Sequence, residues 1–278
     1  MPLSTLLAAL RDAPSRTGSV IITVYGDAVA PRGGEIALAS LLELMGRIRA
    51  GDGVVRTAVS RLMRDGWLNR HRIGRRSFYR LAPRGLQEFA DATPRIYGRQ
   101  DSPWTGQLRL VFAEAGVERS MLEAAGYALL APGLLAAPDS ALVPPPGLLA
   151  LLATGNADSL RTLAARTWPV GRIARGYAMF SNLFLPLAED AAGLNDLDAM
   201  AARVLLVHEY RRIALRDPRL PLALLPVGWP GVEARELCIR LYGILAPASE
   251  RWLDTAENRS GTLPRGPDPA TRFSGGGK

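Results

Sequence analysis

Arginines alternate with apolar residues in the stretch VVRTAVSRLMRDGWLNRHRIGRRSFYRL, residues 54–81. At about 100° per residue, Val55, Ala58, Val59 and Leu62 fall in one narrow arc, which is the period of an amphipathic helix. The polar side chains fall together on the opposite side: Arg56, Thr57, Ser60, Arg61 and Arg64. Such groups can donate to phosphates and base edges. The spacing therefore predicts a nucleic-acid contact, and a merely solvated helix face is the alternative.

The residues after this helix change period and predict a two-stranded hairpin around Gly74. The tip of the hairpin carries Arg72, Arg75 and Arg76, which we expect to contact the DNA backbone or the minor groove. A helix with a basic outer face followed directly by a basic hairpin is typical of a winged helix-turn-helix.

The first helix of such a unit should lie just upstream. Ser40 and Glu43 have the spacing of a capping box, and we count Ser40 among the candidate DNA contacts. Asp52 is expected to cap the second helix.

The positive charge of the chain is concentrated in this region. The formal net charge is +8, and residues 47–99 hold 13 arginines against four acids, a net charge of +9. The remainder of the chain is close to neutral. Clustered charge of this kind favours a polyanionic partner, because each neutralised phosphate releases condensed counterions.

Composition argues against several other classes of protein. No apolar window is long enough to span a bilayer and the N-terminus lacks a signal-peptide pattern, so we expect a cytoplasmic protein. The single cysteine, Cys238, excludes an intrachain disulfide. His208 and Glu209 begin like a zinc-protease helix, but Arg212 stands where the second histidine is needed. No phosphate loop or nucleophile elbow is present, so we expect no catalytic residue, metal or cofactor.

The rest of the chain predicts a multidomain α+β protein. The segment from Ser19 to Tyr25 could be a helix or a strand, and Thr93 to Pro103 reads as a linker. Strands alternating with short helices follow, then a helical region, then a segment rich in Gly, Pro and Ser. We expect four parts: a DNA-binding domain at 1–98, an α+β domain at 99–169, a helical domain at 170–257 and a disordered tail at 258–278.

Several long stretches resemble the PaaX family of repressors of aerobic phenylacetate degradation, and the resemblance covers nearly the whole chain. They are VYGDAVAPRGG (24–34), VVRTAVSRLMRDGWL (54–68), GRRSFYRL (74–81), RIYG (95–98), VHEYRRIALRDPRLPLALLPVGWPG (207–231) and LCIRLY (237–242). The resemblance implies a homodimer that binds double-stranded operator DNA through its winged helix. It also implies a central ferredoxin-like domain similar to Cas2 proteins, a helical C-terminal domain, and release from DNA by an aryl-acyl-CoA such as phenylacetyl-CoA.

A second group of residues could hold such a ligand. His208, Arg211 and Arg212 would meet the phosphates or the thioester of the CoA. Trp168, Tyr177 and Trp229 would line an aryl pocket. The alternatives are a structural ion pair with Glu209 or another acid, and aromatic rings that only fill a core.

The similarity to Cas2 proteins raises a metal-dependent nuclease as the alternative function. A nuclease needs carboxylates that converge on a metal, and the candidates are Glu114, Glu118 and Glu123. Their spacing does not bring them together, so we expect no nuclease activity.

Overall fold

The structure is a computed structural model that describes residues 3–10, 16–98, 104–113, 119–141, 143–144 and 146–273. The candidate carboxylates Glu114 and Glu118 lie outside these residues. None of the helices in the described ranges is long and apolar enough to cross a membrane.

The described chain is an α+β protein with ten α-helices and three small antiparallel sheets. The helices are α1 (Leu3–Ala9), α2 (Thr17–Val24), α3 (Leu38–Arg47), α4 (Asp52–Arg64), α5 (Pro83–Ile96), α6 (Arg119–Ala124), α7 (Ala157–Thr167), α8 (Val170–Phe184), α9 (Asp196–Ala214) and α10 (Pro230–Thr255). The strands are β1 (Glu35–Ala37), β2 (Leu68–Ile73), β3 (Arg76–Leu81), β4 (Leu108–Phe112), β5 (Ala128–Ala131), β6 (Leu134–Pro138), β7 (Ala150–Ala153), β8 (Glu257–Asn258) and β9 (Gly261–Thr262).

Two compact units divide the chain differently from the predicted four parts. The first unit comprises Met1–Arg99, Met179–Leu215 and Glu233–Lys278, and the second comprises Gln100–Ala178 and Arg216–Val232. The helical C-terminal region is therefore shared between the units. Its helices α9 and most of α10 pack with the N-terminal region.

In the N-terminal part of the first unit, the elements follow one another along the chain in the order α2, β1, α3, α4, β2 and β3. The sheet has the order β1-β3-β2, with Ile36 opposite Tyr79 and Arg70 opposite Tyr79 on the other side. The predicted helices and the hairpin are confirmed as elements. Gly74 in the hairpin tip has a φ of 57°, which few side chains tolerate. The undecided segment from Ser19 is helical and continues through a π-helical turn at Tyr25–Val29.

The predicted helix caps of this region are wrong. Ala37 ends β1 in an extended conformation and is itself the N-cap of α3, so Ser40 lies inside the first turn. Ser40 is buried, and its hydroxyl accepts a hydrogen bond from the backbone N–H of Glu257. Helix α4 is preceded by Gly51, and Asp52 is its first residue rather than its cap.

The second unit contains a four-stranded antiparallel sheet of order β5-β6-β4-β7. Strands β4 and β5 run parallel with β6 between them, and β6 and β7 run parallel with β4 between them. Helix α6 connects β4 to β5. Its Leu122 joins a buried cluster with Val111, Tyr127, Leu135 and Ala137. The predicted strands are confirmed here, and the Asn156 side chain caps α7 by accepting a hydrogen bond from the Ser159 N–H.

Two folded segments continue beyond the ends that the sequence predicted for them. Helix α5 continues through Pro94 to Ile96, and Tyr97 is buried, so the linker does not begin at Thr93. Residues 258–273 do not behave as a disordered tail, because β8 pairs with β9 and Leu263 and Phe273 are buried. The composition of this segment predicts disorder, although its apolar side chains Leu263 and Phe273 are buried in the first unit.

A buried charged network joins the segments of the first unit. The Arg203 guanidinium on α9 donates from Nε to Asp27 (2.7 Å) and from Nη1 to Glu250 (2.6 Å) and the Ser249 hydroxyl (3.1 Å). Its Nη2 donates to the Tyr242 hydroxyl at 2.7 Å. The charge of the buried guanidinium is thereby compensated by two carboxylates, as burial of an ion requires.

Candidate nucleic-acid interface

Helix α4 divides its side chains between the interior and solvent as its sequence predicts. Val55, Val59 and Leu62 are buried and hold the helix against the first unit. The opposite side, here called the polar face, is exposed along its length and consists of Arg56, Thr57, Ser60, Arg61 and Arg64. An exposed helix face of this kind can enter a groove of duplex DNA.

The positive charge of the polar face is almost free of acidic neighbours. Among the described residues, Arg56 and Arg61 have neither a hydrogen-bond nor an ion-pair partner. Arg64 lies 3.8 Å from a carboxylate oxygen of Asp65, and both side chains are largely exposed. The Thr57 hydroxyl donates to the Gly53 carbonyl at 2.8 Å. The arginine donors are therefore available to a partner.

The hairpin β2–β3, here called the basic hairpin, presents a second exposed set of guanidinium groups. Arg72 Nε donates to the Gly74 carbonyl at 3.0 Å, which positions the tip. Arg75 is exposed and has no ion-pair partner in the described chain. Arg76 is paired with the Glu257 carboxylate and lies over the Phe78 ring. The guanidinium groups of Arg72 and Arg75 at the tip can therefore bind an anion, whereas Arg76 would first have to separate from Glu257.

The predicted contact at Ser40 is not on this surface. Its side chain is 8% exposed and faces the chain at Glu257 instead of solvent.

A basic residue that the sequence reasoning missed lies beside the polar face. A groove of about 760 Å³ separates the start of α2 from α4, and Arg16, Ser19, Thr57 and Arg61 line it together with Trp67. Arg16 immediately precedes α2. A basic residue at a helix start carries no periodic signal, and only the packing of α2 against α4 brings it to Arg61.

Contacts within the first unit hold this surface in position. The Arg47 guanidinium of α3 pairs with Asp198 of α9, and the Arg47 hydrogen bond lowers the pKa of Asp198 despite partial burial. The Tyr25 hydroxyl donates to the carbonyl of Tyr79 at 3.0 Å and so ties the helix layer to β3. These contacts fix helix and hairpin relative to each other within the first unit.

Comparison with known proteins identifies the family. A family sequence profile described as PaaX-like protein matches residues 16–85, and one described as PaaX-like protein C-terminal domain matches residues 168–255. The transcriptional repressor PaaX of Escherichia coli (strain K12) is 36% identical over 92% of this chain and 89% of its own length. The chain belongs to the PaaX-like family. The uncharacterized protein Rv0674 from Mycobacterium tuberculosis shares the fold, with a TM-score of 0.50 and 21% identity over 77% of this chain and 90% of that chain.

The aromatic residues proposed as a ligand pocket in this PaaX-like chain lie in the second unit and are buried. Trp168, Tyr177 and Trp229 are each at most 6% exposed. The Tyr177 hydroxyl donates to Asp217 at 2.8 Å, and its ring meets Trp229 edge-on with centroids 6.0 Å apart. Trp229 Nε1 is buried without a hydrogen-bond partner among the described residues. Tyr177 and Trp229 form one aromatic contact.

The basic residues proposed for the same ligand lie in the first unit. Arg211 donates to the Thr23 hydroxyl at 2.7 Å and to Ser19, and Arg212 pairs with Glu209 at 3.1 Å. His208 is fully buried, with Nδ1 2.9 Å from the Thr23 hydroxyl. Burial, followed by the charges of Arg211 and Arg212, lowers the pKa of His208 to about 3, so the ring is neutral.

The carboxylates of the nuclease alternative show no metal site in the part of the PaaX-like chain that the structure describes. No group of three or more His, Cys, Asp or Glu side chains there could hold an ion. Glu123 is paired with Arg119 one helical turn earlier.

Proposed function

We propose that this PaaX-like chain is a transcriptional repressor that binds double-stranded DNA, with residues 16–98 forming a winged helix-turn-helix. The observation that carries the proposal is the exposed polar face of α4, where Arg56 and Arg61 lack acidic partners in the described chain. The order of α2, β1, α3, α4 and the basic hairpin is that of a winged helix. The similarity to the transcriptional repressor PaaX of Escherichia coli supports the same conclusion.

Helix α4 would lie in the major groove. Arg61 or Arg64 can donate both guanidinium arms to the O6 and N7 of a guanine, which discriminates by about 1–3 kcal/mol against another base. Thr57 and Ser60 would contact neighbouring base edges or phosphates. The exposed Arg72 and Arg75 of the basic hairpin would contact the adjacent phosphates and so add affinity with little sequence preference.

The second unit would be the ferredoxin-like domain that the family resemblance implies. Its order β5-β6-β4-β7 places the first and third strands of the unit at the centre, as in a split βαβ arrangement. A split βαβ arrangement has a second helix between its third and fourth strands. The described residues between β6 and β7 form no helix, and α7 follows β7 instead.

Homodimers of the chain would bind an inverted repeat before an operon of phenylacetate-type aromatic-acid catabolism.

An aryl-acyl-CoA such as phenylacetyl-CoA would release the repressor from DNA. The ligand can shift the DNA-bound population only by its different affinity for the free and DNA-bound conformations. Because the six candidate residues are divided between the two units, the basic and aromatic sets are separate hypotheses for its contacts.

The test is a fluorescence anisotropy titration with a duplex selected by the protein from a randomised library and with an unselected duplex, each over a series of salt concentrations. We expect Arg61→Ala to lose about tenfold or more of the preference for the selected duplex, as the loss of a bidentate base contact predicts. Arg75→Ala should weaken binding to both duplexes and reduce the salt slope by about 0.9.

Arg172→Ala is the matched control, because Arg172 is an exposed arginine of the second unit, outside the interface. Equal preference ratios for Arg61→Ala and the wild type would show that α4 does not read the sequence. In the same titration, phenylacetyl-CoA should release the selected duplex and free CoA should not.

A further inference from the structure

Helix α4 carries an exposed apolar side chain in its first turn. Val54 is the third residue of the helix and is 56% exposed, although valine is a poor helix former and leaves apolar surface in water there. It belongs neither to the buried side of the helix, formed by Val55, Val59 and Leu62, nor to the polar face. In helix-turn-helix proteins, the N-terminal residues of the recognition helix are the ones that contact base edges.

Thr57, one turn later, also offers an apolar group. Its side chain is exposed, and its hydroxyl donates to the Gly53 carbonyl of the same helix at 2.8 Å. The proton that could be donated to a base is therefore already bound within the helix, as happens when a threonine bonds back to the preceding turn. What Thr57 retains for contact with an apolar surface is its γ-methyl group.

Val54, Thr57 and Arg61 lie along one side of α4. With 3.6 residues per turn, their directions around the helix fall within about 60° of each other. All three line the groove between the start of α2 and α4, and Ala58 adds its methyl group to the same side. Val54 and Arg61 are separated by about 10 Å along the helix, which corresponds to about three base-pair steps. A DNA site read by Arg61 would therefore extend to bases beside Val54 and Thr57.

We propose that Val54 and Thr57 read thymine by packing against the 5-methyl group that thymine exposes in the major groove. In DNA without modified bases this is the only methyl group on the base edges, whereas the other distinguishing groups are hydrogen-bond donors and acceptors. An apolar pair of side chains is complementary to the methyl group and offers nothing to those donors and acceptors. Reading of this kind rests on the proposed function, because it requires α4 to lie in the major groove.

The methyl contacts and the arginine contact would differ in strength. Arg61 gains from two hydrogen bonds to guanine, whereas a methyl contact gains only from the apolar surface that it removes from water. One buried methyl group corresponds to about fourfold in affinity, and a bidentate arginine to about tenfold or more. Val54 and Thr57 would thus set the preferred base at positions near the guanine without supplying most of the affinity.

Replacing thymine by deoxyuridine tests the methyl contact directly, because uracil lacks only the 5-methyl group and keeps its base-pairing edge. Anisotropy titrations at fixed salt would compare the selected duplex with duplexes in which single thymines are replaced. For the wild type we expect one or two positions at which uracil weakens binding about fourfold. These positions should lie within about three base pairs of the guanine on which the effect of Arg61→Ala depends.

Variants assign these positions to side chains. Val54→Ala should bind the thymine duplex about fourfold more weakly and should no longer distinguish thymine from uracil at one position. Thr57→Ser keeps the hydroxyl and loses the methyl group, so it should lose the distinction at the other position, whereas Thr57→Val should retain it. Val227→Ala is the matched control, because Val227 is a 90% exposed valine of the second unit and should keep the wild-type ratio throughout.

The ratio of thymine to uracil affinity separates a methyl contact from other effects. A change in DNA shape caused by uracil would weaken the wild type and Val54→Ala equally. Wild-type binding that uracil leaves unchanged at every position would overturn thymine reading, and so would Val54→Ala and Thr57→Ser variants that both keep the full ratio. If the wild type still prefers the selected duplex in these cases, the proposed function stands without the methyl contact. Equal wild-type binding to selected and unselected duplexes would remove both.

Discussion

At the scale of single residues, His208 is a buried ionisable group, and its imidazole ring is neutral in the folded chain. The ring is surrounded by Thr23, Arg211, Arg212 and Glu209, and its pKa is lowered to about 3 mainly by burial. In the unfolded chain a histidine takes up a proton below its ordinary pKa of 6.5. The contribution of His208 to stability is therefore complete above pH 6.5 and is lost as the pH falls from 6.5 towards 3.

We expect the free energy of unfolding to fall by about 1.4 kcal/mol per pH unit below pH 6.5 on account of this ring. Denaturant titrations of the wild type and of His208→Gln at several pH values measure the slope, and the glutamine variant should lose that part of it. His71→Gln is the control, because His71 is exposed on the basic hairpin. Parallel pH profiles for the wild type and His208→Gln would show that another group is responsible.

The sequence predicts correctly whether a side chain is exposed where a local periodicity determines it. It fails where burial depends on contact between segments that are far apart in the chain. The polar face of α4 follows from helical spacing alone, and all five of its side chains are exposed. Ser40 is different, because its burial depends on Glu257, more than 200 residues later. His208 and Thr23 are also far apart in the sequence, so no local pattern could predict the contact between them.

At the scale of elements, α9 is a helix that is buried on most of its sides. A single apolar stripe is absent because Val204, Leu205 and Leu206 point about 100° apart around the helix and are all buried. The sequence does not show which acids neutralise the charges of this helix. Arg203 is neutralised by Asp27 from the N-terminal segment and by Glu250 from α10. The helix therefore connects the three segments of the first unit.

Removing Arg203 should destabilise the first unit strongly. Arg203→Leu leaves the buried Asp27 carboxylate without its guanidinium, and breaking one side of a buried ion pair costs about 3–5 kcal/mol. Arg251→Leu is the control, because Arg251 and Asp196 form an exposed pair for which about 0–1 kcal/mol is expected. Urea unfolding followed by circular dichroism compares them. Equal effects of the two substitutions would mean that the buried network contributes little.

At the scale of the whole molecule, the first unit is assembled from three separate parts of the chain. In its C-terminal part, Phe273 is the last residue that the structure describes, and its ring lies edge-on to Tyr97 (centroids 5.0 Å apart) and Tyr242 (5.2 Å). Arg235 also lies over the Phe273 ring at 5.6 Å. Composition predicted disorder here because glycine, proline and charge outnumber the apolar residues. The structure shows that a single buried ring can anchor such a segment when aromatic partners are supplied from elsewhere.

This assembly makes the stability of the region that we propose to bind DNA depend on the far end of the chain. Phe273→Ala removes a buried aromatic ring, which should cost about 3 kcal/mol. If the first unit opens cooperatively, the loss is shared by every element in it. Hydrogen exchange should therefore accelerate in α4 and β3, which supply none of the ring partners Tyr97, Tyr242 and Arg235, and remain unchanged in β4 and β6 of the second unit.

Leu86→Ala supplies the control, since Leu86 is a 52% exposed residue of α5 in the same unit and should leave exchange in α4 and β3 at the wild-type rate. Exchange in Phe273→Ala that rises only within residues 257–273 would contradict this dependence, because it would mean that the C-terminal segment opens by itself. Acceleration in both units would instead show that they unfold together. The expected pattern, confined to the first unit, follows because the N-terminal region that carries the polar face shares its core with helices from the C-terminal half.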